Sequence, residues 1–124
     1  MVLLDSNIFI YAIQPQFESL RQWCLQQSLH ASNISRLEVL GYYKLNQADK
    51  RDLTRLFEMT TLYPVTNAIV ECAIELRQQR KMSLGDAVIA ATALEYQQTL
   101  VTRNLEDFVL VEGLEVVNPM EVEQ

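Results

Sequence analysis

Long apolar runs are missing from this chain. No stretch approaches the roughly 18 consecutive apolar residues that a membrane helix needs, and the N-terminus lacks the basic start and long apolar core of a secretory signal. A cytosolic (cytoplasmic) protein with no membrane association is therefore expected. Cysteine and histidine are scarce: Cys24 and Cys72 lie far apart without Cys-x-x-Cys spacing, and His30 is alone. This argues against a disulfide framework and a zinc or histidine-rich metal site, and no Cys–His or Ser–His pair suggests itself for covalent catalysis. Both cysteines are expected as small core residues, and His30 as a local structural group. Positive charge is also in short supply. Ten basic against sixteen acidic residues give a formal charge of −6, which disfavours broad, sequence-blind attraction to nucleic acid. If nucleic acid is the partner, metal ions or a local basic patch must carry the attraction. Repeats, low-complexity tracts and linkers are absent too. A chain of 124 residues with 49% hydrophobic content should thus form one domain, 1–124, around a real core.

What is present begins at the N-terminus. Val2-Leu3-Leu4-Asp5-Ser6-Asn7 reads as a short buried strand ending in a carboxylate. Apolar residues without polar alternation suit a parallel strand covered on both faces. Ligands bind beyond the carboxyl ends of such strands, so Asp5 is a site candidate. A short helix to about Ala12 follows, then a break at Gln14-Pro15-Gln16.

Phe17 to Gln27 reads as an amphipathic helix with Trp23 as its main anchor, and Leu29-His30-Ala31 as a second strand. Helices are expected over about Arg36–Lys44 and Lys50–Met59, with an edge strand over Thr61–Val65. Asn67 is placed as the cap of the next helix, and Arg77, Arg80 and Lys81 at its end complement the helix dipole. Ser83–Gln97 is apolar nearly all round and should pack closely on the sheet. Strands over Thr99–Thr102 and Leu114–Val117 flank a helical turn at Asn104–Phe108. Helices separating four to five short strands indicate an α/β fold, with a short central parallel sheet flanked by helices in three layers.

Acids recur at helix starts. Ser35-Arg36-Leu37-Glu38 and Ser83-Leu84-Gly85-Asp86 both resemble capping boxes, and Asn104-Leu105-Glu106-Asp107 repeats the spacing. Taken singly, each acid is explained as a helix cap. Topology adds more, because right-handed crossovers put helices that follow strands on one rim, where Asp5, Glu38 and Asn104/Asp107 should converge. The helix starting near Ser83 follows another helix, yet its packing on the sheet would bring Asp86 alongside Asp5. Carboxylates crowded in one cleft raise one another's pKa unless a cation neutralises them. Magnesium or manganese, which prefer oxygen ligands, are the natural candidates.

The stretches Leu4-Asp5-Ser6-Asn7-Ile8, Ser35-Arg36-Leu37-Glu38, Gly85-Asp86-Ala87-Val88-Ile89-Ala90-Ala91-Thr92-Ala93-Leu94 and Leu100-Val101-Thr102-Arg103-Asn104-Leu105-Glu106-Asp107-Phe108 together resemble a PIN domain, most closely the VapC-type toxin ribonucleases. The resemblance spans nearly the whole chain in the family's order. It implies a PIN-like fold and a magnesium-dependent endoribonuclease with Mn2+ as a substitute ion, cytosolic, homodimeric and restrained by a cognate antitoxin. Carried over by position, Asp5, Glu38 and Asp86 become acidic metal ligands and Ser6 the hydroxyl near the site. Asn104 stands where aspartate is frequent, which removes one charge and leaves the number of ions, one or two, open; Asp107 can compensate. In the implied mechanism the ion activates a water that attacks phosphorus, Glu38 orients that water or helps hold a second ion, and Arg103 or Arg36 either steers phosphate or is a plain surface residue. A non-catalytic PIN-like module that binds RNA or protein is the alternative, kept open by Asn104 and the acidic net charge. A receiver-like phosphorelay domain fails for want of a phosphoacceptor at a middle strand's end, and an Asp-x-Asp phosphatase because Asn7 replaces the second acid.

Overall fold

Leu3 and Leu4 are both fully buried, yet they enter different hydrophobic clusters. Successive side chains of a strand point to opposite faces, so this one strand needs cover on both sides. The computed structural model describes residues 1–122. In it β1 (Val2–Leu4), β2 (Leu29–Ser32), β3 (Thr61–Tyr63), β4 (Thr99–Val101) and β5 (Val116–Val117) form one parallel sheet in the order β3-β2-β1-β4-β5.

The helices divide between the two faces. On one lie α1 (Ser6–Ala12), α2 (Glu18–Leu25), α3 (Asn33–Leu40) and α4 (Gln47–Glu58), which bury Ile8, Phe9, Leu20, Leu53 and Phe57 against Leu4 and Val101. Phe9 and Phe57 stack with centroids 4.2 Å apart. On the other lie α5 (Asn67–Gln79), α6 (Leu84–Glu95) and the short α7 (Leu105–Phe108), which bury Ile69, Leu76, Ile89 and Phe108 against Leu3 and Leu100. A last turn, α8 (Pro119–Val122), closes the described chain. The result is the expected three-layer α/β arrangement. From β1 the chain first winds outward through β2 to β3, then returns to β4 on the far side of β1. The order therefore reverses between β1 and β4, which opens a crevice beyond their carboxyl ends. No helix among the described residues is long and apolar enough to cross a membrane.

Several local expectations need correction. Leu20 and Cys24, not Trp23, are the buried residues of α2; Trp23 is half-buried. Helix α3 stops at Leu40, with Gly41 as its cap, rather than continuing to Lys44. Helix α4 starts three residues early because the Asn46 side chain accepts from the Asp49 amide at 2.8 Å and donates to the Asp49 carboxylate at 3.1 Å. Thr66 rather than Asn67 caps α5. Cys24 is a core residue, while Cys72 is half-buried. His30 is held on the sheet by the Tyr63 hydroxyl, 2.8 Å from Nδ1, and Gln98 donates to the same hydroxyl at 2.6 Å. It is a structural group, as expected.

Candidate active site

Asp5 ends β1 at the reversal point and is only 4% exposed. It is the N-cap of α1: Oδ1 accepts from the Ser6 amide at 2.8 Å, and Oδ2 accepts from the Thr102 hydroxyl at 2.7 Å. Thr102 follows β4 directly and is itself fully buried. Its oxygen accepts from the Asn104 amide at 3.0 Å, which leaves the single hydroxyl proton for Asp5. A polar chain from α7's start to β1 thus fixes the carboxylate.

Glu38 reaches the crevice from α3. Its Oε1 accepts from the Ser6 hydroxyl at 2.7 Å, and Ser6 also bonds the Ser35 hydroxyl at 2.9 Å. One hydroxyl has one proton, so with Ser6 donating to the carboxylate, Ser35 donates to Ser6. Glu38 Oε2 rests against Gly85 at the start of α6, where any Cβ would collide with it. The glycine is what lets α6 lie against this acid. Asp86 sits in the first turn of α6, half-buried, with its amide donating to Ser83 Oγ at 3.1 Å. Asp107, exposed on α7, adds a further charge.

The charges of these acids act on one another. Burial, then the charges of Glu38 and Asp107, push the Asp5 carboxyl above its ordinary value against the opposing bonds from Thr102 and Ser6. Burial and the charges of Asp5, Asp107 and Glu38 push Asp86 up to about 6. The charges that raise either group are those of the other carboxylates. Asn104 is exposed and contributes its backbone, its side chain making no capping bond. Arg103 is exposed, its guanidinium 4.5 Å from the Tyr11 ring centroid and 5.6 Å from that of Phe17. Those ring faces fix the side chain by cation–π attraction. Arg36 is exposed on α3.

The donor set consists of carboxylate and hydroxyl oxygens, which fits a hard divalent cation. Among the described residues no three His, Cys, Asp or Glu side chains are drawn together into a ready-made cage. Magnesium does not need one, since it keeps several waters and is ordinarily held through one or two carboxylates plus substrate phosphate. Asp5 and Asp86, with Glu38 and Asp107 beside them, are the side chains able to hold it.

A pH dependence follows for the metal-free protein. A carboxyl whose pKa is raised by folding binds its proton more tightly in the native state, so its stabilisation is complete below the unfolded value of about 4 and disappears as pH rises through about 6 for Asp86. Chelator-treated protein should unfold at a higher temperature at about pH 5 than at about pH 7.5, and Asp86→Asn should narrow that gap. A gap unchanged by the substitution would remove Asp86 from the cluster.

Two contributors are absent from the site residues that the sequence suggests. Thr102 reads there only as strand, though a threonine ending a buried strand at the rim is the available signal. Ser35 reads as a helix cap. In fact Ser32 caps α3, accepting from the Ile34 amide at 3.1 Å, and Ser35 is buried beneath Ser6. Of the three capping motifs expected, only Ser83–Asp86 caps its helix through the side chain.

The PIN domain family model matches residues 2–114. The chain is similar to Ribonuclease VapC10 of Mycobacterium tuberculosis, 28% identical over 123 residues that cover 92% of this chain and 90% of the relative. Among solved structures it is similar to a toxin-antitoxin complex from Klebsiella pneumoniae, with a TM-score of 0.78 and 28% identity over 96% of this chain and 98% of that one. FitAcB from Neisseria gonorrhoeae shares the fold with a TM-score of 0.79 at 23% identity, over 97% of this chain and 99% of that one.

Proposed function

The chain belongs to the PIN domain family, and from that premise we propose that it is a VapC-type toxin: a magnesium-dependent endoribonuclease that hydrolyses RNA phosphodiester bonds and is restrained by a cognate antitoxin. The observation that carries this reading is the group of carboxylates, Asp5, Glu38, Asp86 and Asp107, whose charges together raise the Asp5 and Asp86 carboxyls. The ribonuclease name of the relative and the toxin-antitoxin complex among the structural neighbours support it.

Asp5 and Asp86 would hold the ion, with Glu38 and Asp107 able to share it. When bound, a divalent ion supplies positive charge against the phosphate and a lowered pKa for a coordinated water. The protein's own contribution is placement. Thr102 and the Ser6 amide hold Asp5 in one rotamer, and the Ser35–Ser6 pair holds Glu38 where it can orient an attacking water. Water is the nucleophile, so no covalent enzyme intermediate forms.

Partner surfaces lie beside the site. An apolar cavity of about 280 Å3 between α1, α3 and α4 is lined by Ile10, Ile13, Val39, Tyr42 and Leu53 and shares Glu38 with the acidic crevice. We assign it to the antitoxin, whose binding there would also reach the catalytic acids. The exposed Val70, Ile74 and Leu84 on α5 and α6 suit a second copy of the chain.

Purified protein incubated with total cellular RNA and magnesium should yield discrete fragments. Chelation should abolish them, and added magnesium should restore them. Fragments that survive chelation would contradict a metal-dependent reaction, and RNA bound but left intact would favour a non-catalytic module.

A further inference from the structure

Three of the chain's ten basic residues, Arg77, Arg80 and Lys81, fall within five positions at the α5–α6 turn. A helix dipole accounts for only part of this cluster. Arg77 lies in the last turn of α5, and its Nε donates to the Met82 carbonyl at 3.0 Å, so it shapes the turn. Arg80 is already outside the helix, with extended backbone at φ −159° and ψ 159°. Its Nη2 donates to Gln79 Oε1 at 3.2 Å, but Nε and Nη1 are shielded from solvent with no acceptor. Shielded donors without acceptors cost about 1–3 kcal/mol, and more on a charged group. Lys81 is exposed beyond the helix end.

These side chains line a cavity of about 560 Å3 together with Asp86, Glu106 and Asp107. The basic side chains thus share a space with two acids of the site, Asp86 and Asp107. On a chain of net charge −6, a polyanion approaching those acids needs a local counterweight.

Resting on the ribonuclease reading, we propose that this cavity is a phosphate subsite, in which Arg80 and Lys81 grip a phosphodiester of the RNA strand neighbouring the one held over the acids. The Arg80 guanidinium turns its unpaired donors to the phosphate oxygens, a match that its planar fork makes well. Lys81 adds a point charge. The subsite lies on one side of the cleavage point, so it fixes the direction in which the strand crosses the crevice. Both are positioning residues, and their loss acts on KM more than on kcat.

The test is binding of a fluorescein-labelled single-stranded RNA of mixed sequence, about 12 nucleotides long. Anisotropy would be read over a range of KCl in an Asp5→Asn background that leaves the RNA uncut. Arg80→Ala/Lys81→Ala should weaken binding about tenfold at low salt and reduce the slope of log K against log salt by about 0.7 for each phosphate no longer neutralised. Lys50→Ala/Arg51→Ala, which removes the same charge from the exposed face of α4, should change the slope little. In cleavage with Asp5 intact, the first pair should raise KM and leave kcat nearly unchanged. Lys81→Ala alone, at an exposed position, should show the same direction at smaller size if the double variant folds poorly. Equal losses from both pairs, or no loss from the first, would overturn the subsite. Manganese binding separates the two claims: a chain that binds no manganese yet needs Arg80 and Lys81 for RNA retains the subsite and loses the nuclease reading.

Discussion

Asp5→Asn is expected to lower RNA cleavage by about 10^3-fold or more while raising the midpoint of thermal unfolding by a few degrees. The opposed signs come from one cause. Asp5 is buried, and burial together with the charges of Glu38 and Asp107 raises its pKa. At neutral pH the native state therefore carries an ionised group that it holds less comfortably than the unfolded chain does. Asparagine removes that charge and keeps the shape. Its carbonyl can still accept from the Ser6 amide, and its NH2 can donate to the Thr102 oxygen. The cation loses a charged ligand fixed on a rigid strand end, and several kcal/mol of charge stabilisation correspond to the stated rate. Cleavage retained at the wild-type rate would remove Asp5 from the chemistry, and a lowered unfolding midpoint would contradict the crowding of charge.

Thr102→Val should weaken manganese binding by about 10- to 100-fold, the usual loss when a partner of a metal ligand is removed. It should also lower stability by roughly 2 kcal/mol at pH 7. Valine matches threonine in shape, so packing in this fully buried position is preserved. What disappears is the 2.7 Å bond to Asp5 and the acceptor for the Asn104 amide. That bond is the strongest influence holding the Asp5 pKa down, so the pKa rises further and protons compete better with the metal. The stability loss should shrink as pH falls below the raised Asp5 value, because a protonated carboxyl no longer needs the donor. Denaturant melts at two pH values measure this; a loss of equal size at both would assign Thr102 a packing role only.

The framework of the site is readable in the sequence because it depends on local patterns with a general topological rule. An unalternated apolar run announces a central parallel strand, and strand ends in such sheets face a crevice, so Asp5 can be placed from its neighbours in sequence alone. Glu38 and Asp86 emerge from helix-start patterns and from the family resemblance. Details set by tertiary packing are not readable. Ser32, Asn33 and Ser35 are all competent caps, and only the register of β2 into α3 decides that Ser32 caps and Ser35 turns inward to Ser6. The bond between Thr102 and Asp5 joins residues 97 apart in sequence. It exists because β4 lies beside β1, an order that periodicity does not encode. Trp23 suggests itself as an anchor by its size, whereas the helix faces the core with Leu20 and Cys24. The helix dipole is a sufficient account of the basic turn in sequence; the unpaired donors of Arg80 become visible only in three dimensions.

The most direct measurement is a manganese titration of the purified protein near neutral pH, wild type beside Asp86→Asn. The variant keeps the Asp86 backbone amide that meets Ser83 Oγ, so α6 remains capped and only the carboxylate charge changes. The expected result is saturable binding by the wild type that is at least about tenfold weaker in the variant, as loss of one charged ligand from a small oxygen donor set requires. No binding to a folded wild type at millimolar manganese, or equal binding by both proteins, would contradict a metal site built on these acids.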